Sequence, residues 1–104
     1  MSIDTTPDAP TTPDARITIP QHVVFRSFVK ETVVLNLDTG RYHGLNPVGG
    51  RMLEALKEVG VVRDAAARLA QTYGVPAHEI ERDLLAFCDE LAARGLIERA
   101  VAAS

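Results

Sequence analysis

The chain has 104 residues, enough for one small domain. Its hydrophobic content is 46% and its aromatic content only 5%, so the core must be mainly aliphatic. A single cysteine excludes an internal disulfide framework. No apolar run approaches the roughly 20 residues that span a bilayer, and without a signal-peptide pattern we expect a cytoplasmic protein.

The formal net charge of −3 is concentrated at the start of the chain. Residues 1–15, MSIDTTPDAPTTPDA, contain Asp4, Asp8 and Asp14 but no Lys or Arg, so the remainder is neutral. Segments rich in Pro, Thr and Asp cannot build a core. The composition therefore predicts a disordered acidic tail over residues 1–15, followed by a folded domain over residues 16–104.

Three β-strands are predicted next, at about residues 22–29, 32–37 and 41–45. Ile17 and Ile19 alternate, but Pro20 suggests that the first strand begins near His22. The segment at 38–40, Asp-Thr-Gly, is typical of a hairpin turn, because Gly accepts the positive φ that a short loop needs. The pattern predicts a three-stranded antiparallel meander with the short third strand at its edge.

Three helices follow, at about 47–59, 62–73 and 76–94. Asn46-Pro47 is a good helix start, because Asn caps the helix and Pro at the first position loses no hydrogen bond. Gly60, Gly74 and Gly95 are plausible stops. Gly49-Gly50 lie in the first turn of the first helix, and we interpret them as close packing on the sheet rather than a phosphate-binding loop, since no nucleotide-binding motif surrounds them.

The order of elements predicts an α+β fold like a winged helix-turn-helix, with a three-stranded antiparallel sheet followed by three α-helices. No motif joins Cys88 to His22, His43 or His78, and Cys88 lies in an apolar helical stripe. We therefore predict that the protein is not an enzyme. The same isolation of the three histidines predicts no metal site and no cofactor.

Two binding functions remain open on the residues alone. A winged-helix transcriptional regulator would place the third helix in DNA, but residues 76–94 carry five acidic and two basic side chains, which phosphates would repel. The other function is peptide recognition, in which a guest segment adds as a strand beside the short edge strand. Replacing Leu45 with proline would then remove a strand hydrogen bond and weaken docking.

The run from Val33 to Leu56, with its Asp-Thr-Gly-Arg-Tyr hairpin and Leu-Asn-Pro helix start, resembles the PqqD family. Segments further along, including Ala67–Ala70 and Leu96-Ile97, resemble it as well, so the similarity covers about residues 22–98. It implies a RiPP recognition element, where RiPP denotes a ribosomally synthesized and post-translationally modified peptide. Such a chaperone binds the leader segment of a precursor peptide and delivers it to a modifying enzyme, such as a radical SAM protein or, in lasso-peptide pathways, a leader peptidase.

The resemblance also implies where the leader would bind. It would add as a strand to the third predicted strand and lie over the third helix, with no nucleic acid or membrane involved. The residues that the resemblance assigns to peptide binding are Arg41, Tyr42, His43, Gly44, Leu45, Ile80, Asp83, Leu84, Phe87 and Cys88.

Overall fold

A computed structural model describes residues 10–100 as eight elements of secondary structure. In chain order they are β1 (Arg16–Thr18), β2 (Val23–Ser27), β3 (Thr32–Asn36), β4 (Tyr42–Leu45), α1 (Pro47–Val59), α2 (Val62–Tyr73), α3 (Ala77–Ala93) and β5 (Glu98–Ala100). The predicted α+β fold, a three-stranded antiparallel sheet followed by three helices, is confirmed.

The central sheet has the order β2-β3-β4, with both pairs antiparallel. Side chains of a strand alternate between its two faces, and β3 buries Thr32, Val34 and Asn36. The opposite face, with Val33 and Leu35, is only half-buried. The helices therefore cover one face of the sheet, which gives a small sheet the packing partner it needs.

The helix boundaries follow from their caps. The Asn46 side chain accepts a hydrogen bond from Gly49 N at 2.8 Å, and Pro47 opens α1 as predicted. Gly60 ends α1 with φ of 91°, and Gly74 ends α2 in the left-handed region with φ of 68°. The core between helices and sheet is aliphatic, and its most deeply buried large side chains include Leu56, Leu84, Leu91 and Leu96.

The predicted close packing of the two-glycine turn on the sheet is confirmed at Gly50. A Cβ added to Gly50 would collide with Thr32 Oγ1 and lie 3.0 Å from Thr32 Cβ. Thr32 is itself buried and its hydroxyl lies 3.0 Å from that of Ser27, so it has little room to shift. The absence of a side chain at Gly50 is what lets α1 approach β3.

Strands β1 and β5 were not predicted, and they form a separate two-stranded antiparallel sheet. Each is three residues long, and their pairing joins residues about 80 positions apart, as in Arg16 with Ala100. Leu96 and Ile97, just before β5, are expected from their position after Gly95 to close over the core, and both side chains are buried there.

The acidic segment predicted as a disordered tail is partly built into the domain. Residues 1–9 lie outside the described residues, but Thr11 and Ala15 are buried. Val62 N donates to Ala15 O at 3.1 Å and Arg63 N donates to Pro13 O at 2.9 Å. Helix α2 has no side-chain cap, so these carbonyls satisfy N–H groups that its first turn cannot pair internally. The expectation of disorder is therefore corrected for residues 11–15.

No helix within residues 10–100 is both long enough and apolar enough to cross a membrane.

Candidate functional site

Strand β4 has one edge that carries no partner strand within residues 10–100. Hydrogen-bonded and non-bonded pairs alternate along an antiparallel ladder. Asn36 N donates to Arg41 O at 2.8 Å, which marks that pair as bonded. By alternation, His43 and Leu45 bond toward β3, while Tyr42 and Gly44 direct their N–H and C=O groups to the outer edge.

This alternation of inward and outward groups corrects the expectation that a proline at residue 45 would act on peptide docking. Leu45 pairs with Thr32 at a bonded position, so its N–H group belongs to the β3–β4 ladder. The outward N–H group next to it is that of Gly44. A proline at residue 45 would therefore damage the sheet itself, whereas a proline at residue 44 would remove a donor from the outer edge.

A groove of about 430 Å³ lies alongside this edge, between the end of β4, the start of α1 and the part of α3 from Asp83 onward. Its apolar lining comes from all three elements: Leu45 from β4, Met52 from α1, and Phe87 with Leu91 from α3. The complete lining is Gly44, Leu45, Asn46, Val48, Gly49, Met52, Asp83, Ala86, Phe87, Glu90, Leu91 and Arg94. Within residues 10–100, outward main-chain groups without a partner strand thus lie beside a groove that combines apolar and charged side chains.

Charged residues of the groove come from α3. Glu90 accepts a hydrogen bond from Arg94 at 2.9 Å across one helical turn. Asp83 lies 3.9 Å from the Arg82 guanidinium, and both side chains are more than half exposed. Exposed pairs of this kind contribute little to stability. The groove is therefore slightly acidic, with Asp83 and Glu90 opposed by Arg94.

The ten sequence-predicted peptide-binding residues divide into distinct positions. Gly44, Leu45, Asp83 and Phe87 line the groove together. Tyr42 and His43 lie on the same strand, Arg41 directly precedes it at the hairpin turn, and none of the three lines the groove. Ile80 is half-buried against the core.

Leu84 and Cys88 have no exposed surface and belong to the core. They cannot contact a guest in the groove, and this corrects their assignment to peptide binding. Both belong to the buried stripe of α3, which consists of Leu84, Cys88 and Leu91. The stripe that lines the groove is offset from it by one residue in sequence. Burial raises the pKa of the Cys88 thiol to about 12, with the nearby Asp89 carboxylate adding to the effect. A thiol held neutral is a poor nucleophile.

Sequence reasoning did not assign the other groove residues, which include Val48, Met52 and Glu90, to peptide binding. On α3 the missed signal is a second stripe at helical spacing, Asp83–Phe87–Glu90–Arg94, which mixes charged and apolar residues. On α1 the missed signal is the group of residues that follows the Asn46 cap, Val48, Gly49 and Met52. Neither set is apolar enough to mark a face by composition alone.

Within the described part of the chain, no three His, Cys, Asp or Glu side chains come together as a metal-binding group.

Comparison with known proteins matches residues 31–97 to the family described as coenzyme PQQ synthesis protein D (PqqD). The chain belongs to the PqqD family. The matched range begins just before β3 and ends just before β5, so it contains the whole groove. No curated protein sequence matches significantly.

Three solved structures share this PqqD-family fold. TbiB1, in complex with the TbiA(beta) leader peptide, has 35% sequence identity and a TM-score of 0.70, over 77% of this chain and 93% of TbiB1. A lasso peptide synthetase B1, complexed with its leader peptide, has 22% identity and a TM-score of 0.69, over 79% of this chain and 96% of that one.

The third is the PqqD truncation of Methylobacterium extorquens PqqCD, described as a functional, stand-alone RiPP recognition element. It has 28% identity and a TM-score of 0.68, over 89% of this chain and 98% of its own. The predicted resemblance to PqqD-like recognition elements is confirmed by both the family match and these structures.

Proposed function

We propose that this chain is a RiPP recognition element, which binds the leader segment of a ribosomally made precursor peptide by strand addition to β4. The observation that carries the proposal is the outward-facing edge at Tyr42 and Gly44, beside a groove to which β4, α1 and α3 all contribute apolar side chains. TbiB1, at 35% identity, is a relative whose structure contains a leader peptide.

The edge supplies main-chain hydrogen bonds that do not depend on the guest sequence. Tyr42 and Gly44 each offer one N–H and one C=O, so a guest strand can make up to about four hydrogen bonds here. Strand addition of this kind draws affinity from the main chain and specificity from pockets for alternate side chains. An added Cβ at Gly44 would lie 3.2 Å from Glu31 Oε2, so the glycine leaves room for that carboxylate beside the strand.

The groove supplies the specificity. His43 and Leu45 are opposite the buried Val34 and Thr32, so their side of the sheet faces the helices. A guest residue on that side would meet Phe87 and Met52 in the groove. Alternate guest side chains would point to solvent.

We further propose that the protein acts by binding and presentation rather than by catalysis. Its one thiol is buried and neutral, and the groove is lined by apolar side chains with three charged ones. The partner enzyme would be a peptide-modifying enzyme such as a radical SAM protein or a leader peptidase. Since ribosomal precursors are made in the cytoplasm, we expect the protein to act there.

DNA recognition is not favoured. The second helix of the helix-turn-helix pair is α3, and it exposes Glu79, Asp83 and Glu90. With five acidic and two basic side chains over residues 76–94, this helix would be repelled by phosphates.

The test is titration of the labelled protein with a synthetic leader peptide from the precursor gene that neighbours its own gene. We expect a dissociation constant of about 1 μM or tighter, corresponding to about −8 kcal/mol. Backbone amide shifts should concentrate at residues 42–45 and on the groove side of α3. The control is a scrambled leader of the same composition.

Two outcomes would contradict the proposal. Amide shifts confined to β1, β5 or the far side of α2 would reject the docking mode. A mobility shift of duplex DNA at low salt, without leader binding, would support the regulator instead.

A further inference from the structure

The two adjacent glycines at the start of α1 have different surroundings. Both are buried, and both have negative φ, so neither needs the left-handed region that favours glycine. An alanine would be the better helix former at both positions. Each glycine therefore needs a reason other than backbone conformation.

Packing explains Gly50 but not Gly49. A side chain at Gly50 would collide with Thr32, as described above. A Cβ at Gly49 would lie 3.4 Å from Leu45 Cβ, 3.4 Å from Asn46 Oδ1 and 3.6 Å from Phe87 Cε1. These are ordinary van der Waals distances. The fold could accept alanine at residue 49 without moving a neighbour.

The position of Gly49 points to a different role. Gly49 lies in the lining of the groove, and the atoms nearest to an added methyl group belong to Leu45 and Phe87, which line it from two sides. A methyl group at residue 49 would therefore occupy groove space between β4 and α3. It would fill the groove while leaving the packing of α1 on β3 unchanged.

We propose that Gly49 is a specificity-determining residue, which keeps the groove deep enough for a bulky apolar side chain of the leader. This inference rests on the proposed function. The guest residue concerned is one beside Leu45, because its side chain shares the helix-facing side of the sheet. Met52 and Phe87 give that space an apolar wall, so the side chain accepted there is leucine-sized or larger and uncharged.

The experiment compares Gly49→Ala with wild type, using the synthetic leader and a leader variant whose groove-inserted residue is truncated to Ala. That residue is identified first by alanine scanning of the leader against wild type. We expect Gly49→Ala to raise Tm by about 2–6 °C, because alanine replaces glycine in a helix without a clash. We expect it to weaken binding of the intact leader about tenfold or more, since a pocket discriminates at the level of one methyl group.

The truncated leader provides the decisive comparison. It should bind wild type and Gly49→Ala within about twofold of each other, because it no longer fills the space that the new methyl group takes. Gly50→Ala is the matched control on the next residue, and it should lower Tm because it forces Thr32 to shift.

The outcomes separate this inference from the proposed function. If wild type binds no leader, both fail. If wild type binds and Gly49→Ala binds the intact leader equally well, the inference alone is overturned. Equal weakening of intact and truncated leaders by Gly49→Ala would also overturn it, because the effect would then not depend on side-chain size.

Discussion

Helix α3 has two flanks, and residues 10–100 cover only one of them. On one flank, Asp89 Oδ1 accepts hydrogen bonds from Thr11 N and Thr11 Oγ1, both at 2.7 Å, and from Arg99 at 3.3 Å. Thr11 and Arg99 are buried, so this flank is closed by the N-terminal segment and β5. On the other flank, Asp83 is exposed beside the groove.

The difference shows how a small domain can leave one position open for an added segment. At the Asp89 flank, an extended stretch of the chain lies against α3 and its polar groups are paired. At the Asp83 flank, β4 ends the sheet and directs N–H and C=O groups outward. Unpaired edges invite strand addition. Among the described residues, no strand lies beside β4 on this open flank, and a leader peptide could supply one.

Proline substitutions at residues 44 and 45 would give the largest contrast. Leu45→Pro removes an N–H group that bonds to β3, and we expect it to cost about 3 kcal/mol or more of unfolding free energy. Gly44→Pro removes an outward N–H group instead, so the domain should stay folded while leader binding weakens about tenfold or more. Chemical denaturation and leader titration measure the two quantities separately.

Two results would contradict the contrast drawn between residues 44 and 45. If Leu45→Pro remained as stable as wild type, or if Gly44→Pro bound leader normally, the assignment of inward and outward groups along β4 would be wrong.

The two aspartates test whether the flanks are independent. Asp89→Ala leaves the buried Thr11 without its acceptor, and we expect a loss of about 1–3 kcal/mol in unfolding free energy with leader binding unchanged. Asp83→Ala should leave stability within about 0.5 kcal/mol, because that side chain is exposed. Its effect should instead appear in binding, as a shift of about two- to fivefold and a weaker salt dependence of the association rate.

Thermal or urea unfolding and stopped-flow titration of each variant provide the measurements. Loss of leader affinity in Asp89→Ala at a temperature where it is fully folded would show that the flanks are coupled.

The helices could be predicted closely, because their limits are written in local chemistry. Asn46-Pro47 starts α1, and Gly60 and Gly74 end helices through conformations that glycine favours. The pairing of β1 with β5 had no such local signal, since each strand is three residues long and its partner is about 80 residues away. The hydrogen bonds between Thr11 and Asp89 could not be predicted for the same reason, because the two residues are 78 positions apart.

The site could be predicted only to the level of elements. The family resemblance pointed to β4 and α3 as the candidate site, but the stripes of α3 that face the core and the groove differ by one residue, and both contain apolar side chains. Which residues of β4 face outward depends on how the hairpin closes. The closing pair is Asn36 with Arg41, and Asn36 Oδ1 also accepts from Asp38 N at 2.9 Å. A loop longer or shorter by one residue would reverse that parity.

The smallest expected effect concerns the core-facing side of α3, between the two flanks. It is the pH dependence of stability that comes from the Cys88 thiol. Cys88 is fully buried, and its pKa is raised to about 12 in the folded protein, against an ordinary value of 9.0. Above pH 9 the unfolded chain ionises this thiol while the folded protein keeps it protonated. The unfolded state then binds fewer protons, so unfolding free energy falls as pH rises, by at most about 1.4 kcal/mol per pH unit from this group.

Cys88→Ala isolates that contribution, because other groups titrate equally in both proteins. We expect the variant to be less stable than wild type at pH 7, since it leaves a small cavity, and the difference should shrink between pH 9 and pH 11. Urea unfolding across this range measures it. A difference that stays constant with pH would mean that the thiol ionises as easily in the folded protein as in the unfolded chain. Cys88 would then be accessible to water, and the core-facing side of α3 would be less closed than the buried stripe indicates.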